Sequence, residues 1–258
     1  MPPTATGLRA TLDFDTWERP NRLLSRWGDD ARRLGFAILR PDAVYRGQVP
    51  GIAAFLAERG LHIARILVGR PHARVLEELY RYTQCRLMQQ GDRPMWWLTP
   101  KYYELGPAVF ALITGDPAAL GEDVPAALVR HKGPSNAALG KPGHLRHEFG
   151  AQNIVMCIIH TAENPKTALR EAALFFEDDA IDEALTAAAA GQAPTWQVPQ
   201  ELARAVDPSP PSFFDIIARC QRGALEAYRQ GLASGAHGAW TDVLGSLAQA
   251  AERLPALS

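Results

Sequence analysis

The sequence has no long apolar run. No stretch approaches the roughly 18 apolar residues of a membrane span, and the opening MPPTATGLRATLDFDTWERP lacks the apolar segment of a secretory leader. An excess of one charge is missing too: 27 Lys and Arg stand against 28 Asp and Glu, for a net charge of −1. That balance leaves no basic track for nucleic acid, so any anion site must be local. Cysteine is scarce. Cys85, Cys157 and Cys220 are odd in number, widely spaced and form no C-x-x-C, which argues against a zinc cluster and for a reducing compartment. A soluble cytoplasmic chain that engages neither membrane nor nucleic acid is expected. Two phosphate-binding signatures are absent as well, since no G-x-G-x-x-G follows the first apolar run and no G-x-x-x-x-G-K-[ST] occurs. There is no internal repeat.

What is present divides into three. Residues 1–33 are polar and Arg-rich, with a short helix expected over RLLSRWGDDARRL, opened by Pro20, and read as an arm laid over a larger body. Residues 34–178 alternate strand-like and helix-like segments. Residues 179–258 form a helical extension: Ala-rich EDDAIDEALTAAAAG, a proline-rich connector, then the amphipathic FFDIIARCQRGALEAYRQGL and AWTDVLGSLAQAAERL. At 258 residues and 47% hydrophobic content, the chain can build one generous domain with appendages.

In the middle region GFAILR, LHIARILVG, GPAVFALITG and NIVMCII read as strands. QVPGIAAFLAERG, PHARVLEELYRYTQCRLMQ and part of DPAALGEDVPAALVRH read as helices. The alternation predicts an α/β sandwich of the split β-α-β kind. His160 follows the last of these strands, and a helix with Asn164 as N-cap and Pro165 in its first position begins within four residues. Ala168, Leu169, Ala172, Phe175 and Phe176 form its apolar stripe, and Glu171 shares that face. One reading pairs the two residues: the imidazole donates its Nδ1–H to Glu171 and keeps Nε2 as a fixed nucleophile. The other makes His160 a satisfied strand-end histidine and Glu171 a solvated helix residue.

Lesser candidates also carry two readings. His144 and His147, three apart, suit metal ligands, but they sit beside Gly143 in a loop with no third ligand, so no protein-held metal is expected. Asp42 after Pro41 suits either catalysis or, preferably, a turn or helix start. Met95, Trp96 and Trp97 suit core or a stacking wall for a base. Cys157 reads as a small core residue.

Four segments in order, FAILRPDAVYRGQV, DRPMWWLTPKYYELGPAVFALITG, LGKPGHLRHEFG and CIIHTAENPKTALREAALFF, resemble the nucleoside diphosphate kinases over about residues 34–178. The resemblance implies a ferredoxin-like α+β core with a four-stranded antiparallel sheet. It implies a phosphohistidine at His160 oriented by Glu171. It further implies phosphate contacts from Arg40, Tyr80, Arg93, Arg130, Ser135 and Arg146, base stacking at Met95 and Trp96, and a nucleoside triphosphate such as ATP as donor, with Mg²⁺ carried on its phosphates. The chain departs from the family's pattern where a lysine is Arg40, a glycine is Ala43, an asparagine is Cys157, a serine is Ala162 and an aspartate is Glu163, and residues 83–92 contain an insertion. The phosphoryl machinery is mostly kept while the nucleoside-reading part is rewritten. Three functions fit: transfer to a nucleotide acceptor, the same chemistry on a non-standard acceptor in a specialised biosynthetic pathway, or nucleotide binding without turnover. Family members assemble as closed tetramers or hexamers, and the two extensions make a homodimer the expectation here.

Overall fold

The computed structural model describes residues 17–89, 98–104, 106–136, 139–152, 155–192, 194 and 199–204. The chain divides into two units, Met1–Pro208 and Ser209–Ser258. The amphipathic segments expected after residue 212, with Cys220, lie outside the described residues, as do Arg93, Met95, Trp96 and Trp97.

Four antiparallel strands form the centre, β1 (Leu34–Leu39), β2 (His62–Gly69), β3 (Ala108–Thr114) and β4 (Ile159–Thr161), in the order β2-β3-β1-β4. β1 and β3 are buried along their whole lengths, as two-sided apolar runs require when helices cover both faces. One face carries Ala37, Leu39, Val109, Ala111 and Ile113. It packs on α3 (Val49–Ala57) and α7 (Val124–Lys132), with Ile52, Leu56, Ala127 and Leu128 in the same core. Gly35 lets α7 approach closely, since a Cβ there would lie 2.5 Å from Leu128 Cδ1. On the opposite face Phe36 and Phe110 stack on Phe175, with ring centroids 5.5 and 4.1 Å away. This is the split β-α-β sandwich that the alternation predicts, with the ferredoxin-like four-stranded core that the resemblance implies.

The helices start where their residues allow. α9 (Pro165–Ala173) is capped by Asn164, whose side chain accepts from the Thr167 N–H at 2.9 Å, with Pro165 at the first helical position. α7 is capped in the same way by Asp123, which accepts from Ala126 N–H at 2.8 Å. The helix near the N-terminus, α1 (Glu18–Trp27), begins two residues before Pro20 and continues as a 3₁₀ turn over Gly28–Arg33. Arg19 ties it down, donating to the carbonyls of Ala173 and Phe176 at 2.6 and 2.7 Å and pairing with Asp178 at the start of α10 (Asp178–Ala189). Trp27 Nε1 donates to Asp182 at 2.6 Å. Residues of α1 are therefore bonded to the first two turns of α10 and to the end of α9.

The fourth strand corrects an expectation. A run over NIVMCII was expected, yet regular pairing covers only Ile159–Thr161, with His160 in its middle. Residues 155–158 are bent, and 153–154 lie outside the described residues. Ile158 has φ +69°, the sole positive value at a non-glycine among the described residues. Ile159 N–H reaches Cys157 O at 2.7 Å across it, so the backbone makes a strained three-residue turn instead of continuing the strand.

Candidate active site

His160 is placed by strand register. It faces Ile38 across β1 and β4, so it stands on the Phe36 and Phe175 side of the sheet, where α9 runs. Its Nε2 lies 2.7 Å from Glu171 Oε2. Glu171 is buried, whereas the imidazole keeps 19% of its side-chain surface open. The pairing of the two residues is as expected, but the ring atoms are exchanged: Nε2–H donates to the carboxylate, and Nδ1 is the nitrogen without a hydrogen-bond partner among the described residues. Glu171 projects from α9, a layer away from the strand, and is reached by the nitrogen farther out on the ring. Tyr80, from α4 (Ala73–Gln89), meets the imidazole edge to face at 5.3 Å between centroids.

The turn before His160 is held from several sides. Asp42, in the short helix α2 (Pro41–Tyr45), accepts from Ile158 N–H at 3.0 Å and from the Tyr102 hydroxyl, while Arg40 N–H donates to Ile158 O at 2.9 Å. Asp42 thus has the structural role preferred for it. Arg146, in α8 (Leu145–Glu148), donates to Cys157 O at 3.1 Å, Ile159 O at 2.9 Å, Gly133 O at 3.1 Å and Ser135 Oγ at 3.0 Å. The Ser135 hydroxyl is therefore fixed beside this guanidinium.

Arg40 is only 7% exposed and Arg146 5%. Arg40 donates to Cys157 Sγ at 2.9 Å and lies over the rings of Tyr102 and Tyr103, 4.6 and 5.6 Å from their centroids. Its buried Nε has no hydrogen-bond partner among the described residues. Cys157 is buried as expected, but as a polar contact of two guanidinium groups and not merely a small core residue. Among the described residues, neither Arg40 nor Arg146 forms an ion pair. A buried cation without an anion is costly.

Arg130 is not brought here. Its Nε pairs with Glu122 at 2.6 Å, half exposed and turned outward. The cation that does face β4 is Lys132, the last residue of α7, whose Nζ donates to Thr161 Oγ1 at 2.8 Å. Burial, followed by the Arg146 charge, lowers its pKa to about 8. Its sequence signal was the position one residue before Gly133, which ends α7 at φ +79°. Tyr102 and Tyr103 also went unsingled in the sequence. They come from α5 (Leu98–Tyr103), and Tyr103 Oη lies 3.3 Å from Tyr80 Oη. Burial raises the pKa of Tyr80, Tyr102 and Tyr103, so all three are neutral hydroxyls at neutral pH. His144 and His147 sit apart from this ground: His144 Nδ1 accepts from Lys141 N–H at 3.2 Å, and His147 faces Glu148 at 3.5 Å.

The nucleoside diphosphate kinase family model matches residues 34–181. Among curated relatives, a nucleoside diphosphate kinase of Synechococcus is 30% identical over 146 residues, covering 57% of this chain and 89% of that protein. That of Halalkalibacterium halodurans is 26% identical over 148 residues, covering 57% and 91%. Among solved structures, the apo enzyme of Encephalitozoon cuniculi matches with TM-score 0.49 at 22% identity, over 57% of this chain and 91% of that one. The enzyme of Aquifex aeolicus matches with TM-score 0.47 at 21% identity, over 57% and 96%.

Proposed function

The chain belongs to the nucleoside diphosphate kinase family, and from that premise we propose that it moves the γ-phosphoryl group of a nucleoside triphosphate to a nucleotide acceptor through a phosphohistidine at His160. The observation that carries this reading is the 2.7 Å bond from His160 Nε2 to Glu171, next to a turn held by two buried arginines that form no ion pair among the described residues. The bond fixes the tautomer. Nε2 holds the proton, so Nδ1 keeps a lone pair and is the nucleophile. Nδ1 attacks the γ-phosphorus, the bond from phosphorus to the bridging oxygen breaks, and the nucleoside diphosphate leaves with that electron pair. As positive charge develops on the ring, the Glu171 carboxylate stabilises it. The terminal oxygen of a second nucleoside diphosphate then attacks phosphorus, and the P–N bond breaks.

Phosphoryl transfer asks a protein for positioning and positive charge more than for covalent machinery. Arg40 and Arg146 supply that charge in this reading, with Ser135 as a hydroxyl donor and Tyr80 packed on the imidazole. Arg93, Met95 and Trp96 keep their phosphate and stacking roles as part of the proposal, and Arg130 serves only by leaving Glu122. Mg²⁺ would arrive on the nucleotide phosphates and neutralise their charge there. The homodimer expected from the extensions belongs to the same proposal.

Incubation with γ-labelled ATP and Mg²⁺ tests the reading. An acid-labile, base-stable label is expected on the protein and is lost in His160→Ala. A label that persists in the alanine variant removes His160 from the nucleophile role.

A further inference from the structure

We propose that Lys132 is a third cation of the phosphate site, holding the oxygens of the transferring phosphoryl group beside His160 in place of the outward-turned Arg130. This rests on the reading of His160 given above and goes further, because it assigns a contact to a residue that neither the motifs nor the resemblance singled out.

Position comes first. Lys132 ends α7, and its Nζ sits 2.8 Å from Thr161 Oγ1, on the residue next to His160. Thr161 pairs with Ala37 and so stands on the α7 face of the sheet, opposite His160, but β4 is an edge strand of three residues, so a long side chain bonded to Thr161 can reach round its open edge toward a group bound beside His160. Lys132 and Arg130 are two residues apart on the same helix. At about 100° per residue they point some 200° apart, so an α7 that turns Arg130 outward to Glu122 necessarily turns Lys132 inward.

Charge comes second. The groups that act on Lys132 are Arg146 from α8, Cys157 from the strained turn, Glu163 from the loop after β4, and Glu171 from α9. The ammonium therefore lies within electrostatic reach of the carboxylate that orients His160. Its neighbours on α7 face elsewhere: His131 answers to Arg130, Arg59, Glu122 and His144. From β4 the titratable group is His160 itself, and the sheet strand under α7, β1, presents none. Lys132 forms no ion pair among the described residues, although it is half-buried with a second cation, Arg146, as its strongest charged neighbour. Cations crowded in this way are stabilised by an incoming polyanion. A lysine with pKa near 8 is partly neutral in mildly alkaline solution, and a phosphate beside it restores the charged form.

The test compares the full-length chain with Lys132→Met and Lys132→Arg. Two quantities are read from pH 7 to 9.5: the dependence of labelling on γ-labelled ATP with Mg²⁺, and equilibrium binding of ADP. For the unaltered chain, kcat/KM for labelling is expected to fall about tenfold per pH unit above roughly pH 8, as the free protein loses the Lys132 proton. Lys132→Met is expected to be about tenfold or more weaker in KM and in ADP binding at pH 7, with that alkaline limb removed. Lys132→Arg keeps most of the affinity and loses the limb. A merely structural lysine predicts the opposite, since Met fills the same space without a buried charge and leaves affinity and pH profile unchanged. That outcome overturns the proposal. ADP binding without any labelling of the unaltered chain overturns the phosphohistidine and leaves Lys132 to be judged on binding alone. No ADP binding at all overturns both.

Discussion

Arg170 and Glu78 meet in a buried ion pair at 2.7 Å, one residue before the carboxylate that orients His160 and two before the tyrosine that packs on it. Their side chains are 2% and 1% exposed, and Arg170 also donates to the carbonyl of Glu78. The pair joins α9 to α4, so the two elements that flank the imidazole are tied at one point.

Breaking that tie from one side leaves a charge without its partner in the interior. Glu78→Leu is expected to cost about 3–5 kcal/mol in urea unfolding, whereas Glu78→Leu combined with Arg170→Met recovers most of the loss. A single variant as stable as the parent would show that Arg170 finds another partner.

Glu171→Gln retains the shape and a hydrogen bond while removing the carboxylate charge. Folding should be kept, and the rate of His160 phosphorylation should fall by roughly tenfold or more, equivalent to about 1.4 kcal/mol at the transition state. Quench-flow labelling at saturating ATP reads it. An unchanged rate means that the carboxylate charge does nothing for the developing imidazolium.

Much of this site was legible because its signals are local. Asn164 followed by Pro165 can start only one helix, and that start fixes where Glu171 points relative to a histidine eleven residues earlier. The unbroken apolar runs of β1 and β3 likewise announced strands buried on both faces. What escaped depended on contacts far apart in sequence. NIVMCII looks like a strand throughout, and only the hydrogen bonds from Ile158 N–H to Asp42 and from Arg40 N–H to Ile158 O show why it bends before residue 159. The choice of ring nitrogen follows from where α9 carries Glu171 relative to the imidazole, which residue order does not reveal. Arg130 and Lys132 are both cations near Gly133, and separating them needs the rotation of α7 about its axis. Cys157 gave no hint of two arginines, since one lies eleven residues before it and the other 117.

The buried tyrosines make alkaline pH a probe of this ground. Burial raises the pKa of Tyr80, Tyr102 and Tyr103 in the folded chain above the ordinary value near 10. Below that ordinary value both states hold the protons, and the stability is fully present. Above it the unfolded chain ionises first, so stability falls as pH rises toward the raised folded values, by up to about 1.4 kcal/mol per pH unit for each group. Tyr103→Phe removes one of the three and should reduce the slope of unfolding free energy against pH above 10 by about one proton. A slope equal to the parent's would place Tyr103 in contact with water.

The turn at Ile158 gives the sharpest structural test because it reverses an ordinary ranking. At most positions glycine is less stable than alanine, since it loses more backbone freedom on folding, by roughly 0.5–1 kcal/mol. Ile158 has φ +69°, a conformation that costs any residue bearing a Cβ roughly 1–2 kcal/mol and costs glycine almost nothing. Both Ile158→Ala and Ile158→Gly lose the same buried side chain beyond Cβ, so both should be less stable than the parent by a few kcal/mol. Between them, glycine should be the more stable by about 1 kcal/mol in chemical denaturation. Glycine should also phosphorylate more slowly, because the rigid turn that presents His160 is loosened. Alanine more stable than glycine would mean that residue 158 does not hold a left-handed conformation in solution.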